Sequence, residues 1–556
     1  MRIDFTADLW WKNAIVYCLD VETFMDGDGD GCGDFTGLIQ QLDYLAGLGV
    51  TCIWLMPFYP TPNRDDGYDV TDYLAVDPRL GTLGDFVEFV RLAGDRGLRV
   101  IVDLVVNHTS DQHPWFQAAR SSRDSPFRDY YVWRDEKPRE APDEVAFPGE
   151  ETSIWQHDRR AGAYYLHRFY RYQPDLNLAN ASVRDEIAKI MGFWLQLGVS
   201  GFRVDALPAL VQIENRSEAP DFDPHAYLRE LRNFMARRDG AAMWLGEANV
   251  DPDAERRFFG GGEGDALNML FNFVAMQAIY LSLARGSAEP LEEALRRLPT
   301  IPKDTQWANF LRNHDELTLD KLTTAQRDEV FAAFGPEPRM QLYARGLRRR
   351  LAPMLDGDQR RLRVLFSLVF SLPGTPVLFY GDEIGMGENL SLDDRLAVRT
   401  PMQWATGPTG GFSTAPASRL VRPPASGSFG PDAANVADQR GDPESLLNFV
   451  TRLVRRRRET PEFGWGSSEL VESRAPSLFA HRCDWQESTV FAAHNLGPKR
   501  ATLTLDAEQL GDCEAVDDLL DDRALERLDD GSLRLVLGGY GYRWVRVRRP
   551  GQRPRF

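Results

Sequence analysis

Cysteine is scarce in this chain. Five occur in 556 residues, at positions 18, 32, 52, 483 and 513. The count is odd and no two form a C-x-x-C pair, which excludes a zinc ribbon or a disulfide framework as the source of stability. No run of about 18 apolar residues occurs, so a transmembrane helix is excluded too. The opening stretch MRIDFTADLWWKNAIVYCLD carries acidic residues and lacks the apolar segment of a secretory leader, and the expected compartment is the cytoplasm. Positive charge is in short supply: 65 Lys and Arg face 83 Asp and Glu, a net charge of −18. Such a balance repels phosphate backbones and anionic lipid, which argues against nucleic-acid and membrane partners. Internal repeats and long low-complexity tracts are missing. The basic run Arg455 to Arg458 reads as the solvated face of an amphipathic helix.

What remains is an ordinary globular composition, 43% hydrophobic and 27% charged, laid out as short apolar runs alternating with amphipathic stretches. AIVYCLD (14–20), TCIWLMP (51–57), RVIVDLVVN (99–107), GFRVDAL (201–207), AMWLGEAN (242–249), LNMLFNF (267–273), QWANFLRNHD (306–315) and TPVLFYGDE (375–383) read as strands. Helical patterns at 36–49, 82–97 and 181–198 lie between them. Runs such as VIVDLVV lack polar alternation, as strands buried on both faces do. Eight such strands with helical material between them predict a (β/α)8 TIM barrel, with a doubly wound sheet as the rival. The barrel is placed at 1–107 and 176–465. A small domain rich in Asp, Arg, Pro and Trp is inserted after the third strand, at 108–175, and an irregular insertion occupies about 384–435. From 466 to 556 the texture changes to alternating strands such as STVFAAHNL and YRWVRV, which predict a separate C-terminal β-sandwich.

In a barrel, functional groups project from the C-terminal strand ends. Polar residues closing apolar strands are therefore the candidates. The third strand closes with Asp103 and then Asn107-His108, and the fourth carries Arg203 and Asp205. The fifth ends at Glu247, and the seventh runs into Asn313-His314-Asp315. Asp, Glu and Asp on three strands aim three carboxylates into one pocket. Each alone is a helix cap or a turn residue more often than a catalyst, but their joint arrangement with Arg and His is hard to explain by caps. Paired carboxylates suit glycoside chemistry, one ionised as nucleophile and the other protonated for the leaving oxygen. Arg203, two residues before Asp205, points the same way along the strand and would hold it anionic. Asp315 would orient sugar hydroxyls and raise the proton affinity of Glu247 through its charge.

DLVVNH, GFRVDAL, LGEAN and FLRNHD, with QPDLN at 173–177 and GTPVLFYGDEIG at 374–385, resemble the signature segments of the α-amylase superfamily, glycoside hydrolase family 13. They stand in that family's order, and the resemblance covers nearly the whole chain. It implies a (β/α)8 barrel with the inserted domain and the β-sandwich. It also implies Asp205 as nucleophile, Glu247 as general acid/base and Asp315 as transition-state stabiliser, with Arg203, His108 and His314 lining the sugar subsite. In RDDGYDVTDY, Asp65 and Tyr68 match residues that hold the terminal glucose, with Asp66 as the alternative to Asp65. Arg399 in VRTPMQW matches a partner that closes a one-glucose pocket. FLRNHDELTLDKL, HPWFQAARSSRDSPFRDYYVW and RRRLAPML bring the likeness closest to members that turn maltose into trehalose by moving one glucosyl unit. After Asp205, the stretch LPALVQIENRSEAPDFDP departs from those members. The partners implied are small α-glucosides: maltose, trehalose and maltooligosaccharides. The alternative is an α-glucosidase or amylase that uses the same residues with water as acceptor. A homo-oligomer stays open.

The DGDGDGCGDF stretch at 26–35 supplies Asp26, Asp28, Asp30 and Asp34 as hard oxygen ligands, with a carbonyl from Cys32. An EF-hand would need Glu at loop position 12, where Gly37 stands, and that reading fails. The resemblance implies structural Ca²⁺ here, and a second Ca²⁺ using Asn107 and Asp175. No organic cofactor is expected.

Overall fold

The computed structural model describes residues 9–139, 145–211, 222–521 and 525–551. Its centre is a closed barrel of eight strands: β1 (Val16–Leu19), β2 (Cys52–Leu55), β3 (Arg99–Leu104), β4 (Gly201–Val204), β5 (Met243–Gly246), β6 (Met269–Phe271), β7 (Gln306–Phe310) and β8 (Thr375–Phe379). Each pairs in parallel with its chain neighbours, and β8 returns to β1. All eight are segments that read as strands in the sequence. Every residue in them except Arg99 is buried. Side chains facing inward fill the barrel and those facing outward meet helices, so the runs show no polar alternation.

The helices form where local signals specify them. Thr82 and Asp85 make a reciprocal capping box at the start of Leu83–Asp95, and Asn180 caps Ala181–Gln196. The helix expected over 36–49 is two pieces, Phe35–Gln40 and Leu42–Leu48, which stop at Gly49. That glycine has φ 89°, and a Cβ there would lie 3.0 Å from Val454 Cγ1. Alanine would be strained twice over.

The segment between β3 and β4 carries helix Pro114–Ser121 and a three-stranded antiparallel sheet of Trp133–Arg134, Trp155–Asp158 and Ala163–Leu166. A bridge between His108 and Asp175 closes its neck at the barrel. At the C-terminus, a five-stranded and a three-stranded antiparallel sheet enclose a separate apolar core that includes Leu478, Phe491, Leu533 and Val545. No helix among the described residues is long and apolar enough to cross a membrane.

Candidate active site

The barrel brings the strand-end residues together. Arg203, within β4, is 1% exposed and sits under the centre of the site. Its guanidinium donates to Asp103 on β3, to Asp205 just past β4 (2.7 Å) and to Glu247 just past β5. One cation thus faces three carboxylates from three consecutive strands. Asp103 is fixed in turn by the Trp54 indole N–H (2.8 Å), so the cation cannot shift without breaking a buried network. The turn after the nucleophile candidate is strained: Ala206 has φ 48°, at a cost on the order of 1–3 kcal/mol for a non-glycine residue. The fourth carboxylate, Asp315, follows β7. It accepts from Arg395 (2.7 Å) and Arg399 (2.8 Å), and its backbone N–H is capped by Asn313 Oδ1 (3.1 Å).

These surroundings separate the carboxylates by proton affinity. Burial pushes Glu247 up to about 8, helped by the charges of Asp205, Asp315 and Glu316 and opposed by Arg203. Asp205 is raised less, to about 6, by burial and by Asp103 and Asp315 against the same Arg203. Burial works against the ionised form of Asp315 also, but the guanidiniums of Arg395 and Arg399 outweigh it and hold that carboxyl well below the usual range. At neutral pH the site therefore offers an ionised Asp205, a protonated Glu247 and an ionised Asp315. This division suits double displacement at a glycosidic carbon.

Asp65, Tyr68, His108, Asp205, Glu247 and Asp315 all line one cavity of about 280 Å³, at the small end of the ~300–1,000 Å³ usual for ligand pockets. Arg395 joins Asp65 (2.8 Å) to Asp315, and Gln173 donates to the other oxygen of Asp65 (2.8 Å). Phe147 and Phe169 of the inserted domain also line the cavity, as do Glu316 and Arg345, which lie 3.2 Å apart. Behind Phe147, Tyr343 packs against it at 4.8 Å between ring centres and meets the Tyr170 hydroxyl at 3.0 Å. Tyr343 and Ala344 form the tip of the hairpin of Gln341–Leu342 and Gly346–Leu347, both at φ 53°. Asn-Gly is the sequence that such a turn favours.

With this geometry in view, the chain can be compared with known proteins. Residues 20–332 and 348–466 match the alpha amylase catalytic-domain family, and residues 488–546 match a sucrose hydrolase-like C-terminal domain. The chain belongs to the α-amylase family. A trehalose synthase/amylase from Mycobacterium tuberculosis is 40% identical over 544 residues, 97% of this chain and 90% of that protein. A trehalose synthase from Thermus thermophilus is 42% identical over 537 residues, 96% of this chain and 55% of that longer protein. Among solved structures, isomaltulose synthase from a Klebsiella species superposes with a TM-score of 0.78 at 26% identity, covering 97% of this chain and 99% of that one.

Some residues expected to touch sugar stand behind the pocket surface. Arg203 and His314 do not line it. His314 lies under Tyr68, with ring planes 4° apart and its Nε2 2.7 Å from the phenol oxygen. Burial keeps this imidazole far below its ordinary pKa, hence neutral. Arg399 also lies behind, bonded to Asp66, Asp315 and the His314 carbonyl, and the arginine that reaches Asp315 from the cavity side is Arg395. Asp66, the alternative to Asp65, is taken by Arg399 and Arg422 and does not line the cavity. Sequence reading singled out neither Arg395 nor Gln173. Gln173 lies in the quoted QPDLN, whereas Arg395, in DDRLAV, carries no local signal.

Of the proposed metal ligands, Asp26, Asp28 and Asp34 have oxygens within 4.8 Å of one another. Asp30 is not in that group: its Oδ1 accepts from the Cys32 N–H (2.7 Å). Asn107 and Asp175 do meet, at 3.3 Å, but Arg168 occupies Asp175 at 2.6 Å. The positive charge at that neck is the chain's own, and the pair is not an open ligand set. Part of the divergent stretch after Asp205, residues 212–221, lies outside the described residues.

Proposed function

We propose that this protein interconverts maltose and trehalose by moving one glucosyl unit within a closed pocket. The observation that carries the reading is the pair of buried Asp205 and half-buried Glu247, raised unequally to about 6 and about 8, in a cavity of only about 280 Å³. Identity of 40% to a trehalose synthase/amylase over 97% of the chain supports it.

Chemistry follows from the placement. The non-reducing glucose of maltose rests among Asp65, Arg395 and Tyr68. Asp205 attacks its anomeric carbon while Glu247 gives its proton to the glycosidic oxygen, so that bond breaks as the glucosyl ester forms. The released glucose turns in place. Glu247, now ionised, takes the proton from its anomeric hydroxyl, which attacks the ester and frees Asp205. Two inversions leave an α-linked product. Asp315, held ionised by two arginines, binds ring hydroxyls as the centre flattens and becomes positive. The test is to incubate the protein with maltose and resolve trehalose from glucose. Trehalose as main product is expected, with excess labelled glucose entering it poorly. Glucose alone at early times would assign the protein to the α-glucosidases.

We also infer a structural Ca²⁺ on Asp26, Asp28 and Asp34. Two oxygens on one Ca²⁺ lie at most about 5 Å apart, and the trio meets that limit. Asp26 and Asp34 also accept backbone N–H groups around the loop. The ion would stiffen the turn that follows β1.

A further inference from the structure

Asp65 and Asp66 are adjacent, yet only Asp65 reaches the pocket. Asp66 sits at φ 51°, in the left-handed region, which even Asp occupies at some cost. Its carboxylate is buried with Asp20 and Glu22, and one oxygen of each lies within 4.8 Å of the others. Three ionised carboxylates cannot share that space without a cation. Arg422, from the long segment after β8, supplies it. Its guanidinium donates to Asp66 and Glu22, lies 3.5 Å from Asp20, and reaches the Arg399 carbonyl at 2.9 Å. Arg422 is 5% exposed and does not line the cavity.

We propose that Arg422 is a positioning residue of the catalytic site, which sets Asp315 through Asp66 and Arg399. The path is continuous. Asp66 Oδ1 takes Arg422, and its Oδ2 takes Arg399 Nη1 at 2.8 Å. Arg399 Nη2 then holds Asp315 Oδ1 at 2.8 Å, while Arg399 Nε holds the neighbouring His314 carbonyl at 2.8 Å. A planar fork meets two carboxylates and a carbonyl in a fixed geometry that the compact ammonium of lysine reproduces only in part. Without the fork, Asp66 keeps only Arg399 against the neighbouring charges of Asp20 and Glu22, and its hold on Arg399 loosens. Arg395 still holds Asp315, so the effect is partial. It falls on the transition state, where contacts from Asp315 to hydroxyls tighten. The inference rests on the glucosyl-transfer reading of the same pocket.

The experiment compares Arg422→Met, Arg422→Lys, Asp66→Asn and the Arg422→Met/Asp66→Asn double variant by kcat and KM on maltose, with melting curves to confirm folding. Arg422→Met and Asp66→Asn are each expected to lower kcat about 10–100-fold, with KM within about threefold. The double variant should lose no more than the worse single, because both act on one path. Lysine should recover part of the loss. A cluster that merely ties the loop down would lower the melting temperature and leave kcat of the folded protein unchanged, or give additive losses; either overturns the proposal. If Arg422→Met fails to fold, Asp66→Asn decides, since it leaves Arg422 its other partners, and wild-type kcat in that variant overturns the proposal. A wild-type protein inert towards every α-glucoside would defeat the glucosyl-transfer reading and this inference with it. An active wild type with unimpaired variants defeats the inference alone.

Discussion

The charge arrangement around Arg203 makes a quantitative statement about pH. Turnover from the free enzyme needs Asp205 ionised and Glu247 protonated. With Asp205 raised to about 6 and Glu247 to about 8, kcat/KM should form a bell between those values. Near pH 7 about four-fifths of the molecules hold the right state, and each further unit outside the window costs roughly tenfold. Glu247→Gln should lose about 10²–10⁴-fold on maltose, the scale of a missing general acid. It should also lose the basic limb, because no proton remains to be removed there. Asp315→Asn bears on the same limb in a signed way. The negative charge of Asp315 helps hold the proton on Glu247, so its removal should move the basic limb to lower pH. The assay is kcat/KM for maltose and for an activated aryl α-glucoside across pH 4–10. The aryl substrate needs little leaving-group protonation, and its glucosylation step should be nearly spared in Glu247→Gln. A basic limb that survives in Glu247→Gln, or equal losses on both substrates, would refute the assignment of the acid.

Asp205→Asn should abolish turnover with the melting temperature nearly unchanged, since side-chain volume is kept; near-normal activity in the folded variant would remove Asp205 from the mechanism. A chelator should lower the melting temperature and Ca²⁺ restore it, with Asp26→Asn and Asp28→Asn blunting the response; an unchanged melting curve with no co-purifying metal would reject the calcium reading. Tyr343→Ala should loosen the packing against Phe147 and raise the glucose-to-trehalose ratio several-fold, with Tyr343→Phe in between; an unchanged ratio in both would show that this seam does not retain the sugar.

Legibility in the sequence followed the length scale of the constraint. The barrel could be read because each strand is buried on both faces, and that demand is written into three to six consecutive residues. Asp205, Glu247 and Asp315 could be read because each sits within a few residues of such a strand. Arg203 and His314 could be placed at the strand ends, but not by depth: both are buried and do not line the cavity. Strand position fixes which end of the barrel a residue serves, not whether its side chain reaches the cavity surface. The acidic loop after β1 shows the same limit. Alternating Asp and Gly marks Asp26 to Asp34 as a turn rich in oxygen, yet whether Asp30 faces inward or caps the Cys32 N–H depends on the local path of the backbone.

What could not be read arrives on long irregular segments. Arg395 and Arg422 come from the connection after β8, Phe147 and Gln173 from the inserted domain, and Tyr343 from a hairpin after β7. None lies in a periodic stretch, and each acquires its role only when the chain is closed. The two groups also differ in the energies they govern. Forming a glucosyl ester requires many kcal/mol of transition-state stabilisation, and residues beside the strands supply it rigidly. Choosing a sugar hydroxyl over water tenfold requires only about 1.4 kcal/mol, the size of a single hydrogen bond such as that between Tyr170 and Tyr343. Bond cleavage is thus specified by the barrel. A tenfold preference between acceptors is within the reach of loop contacts of that size.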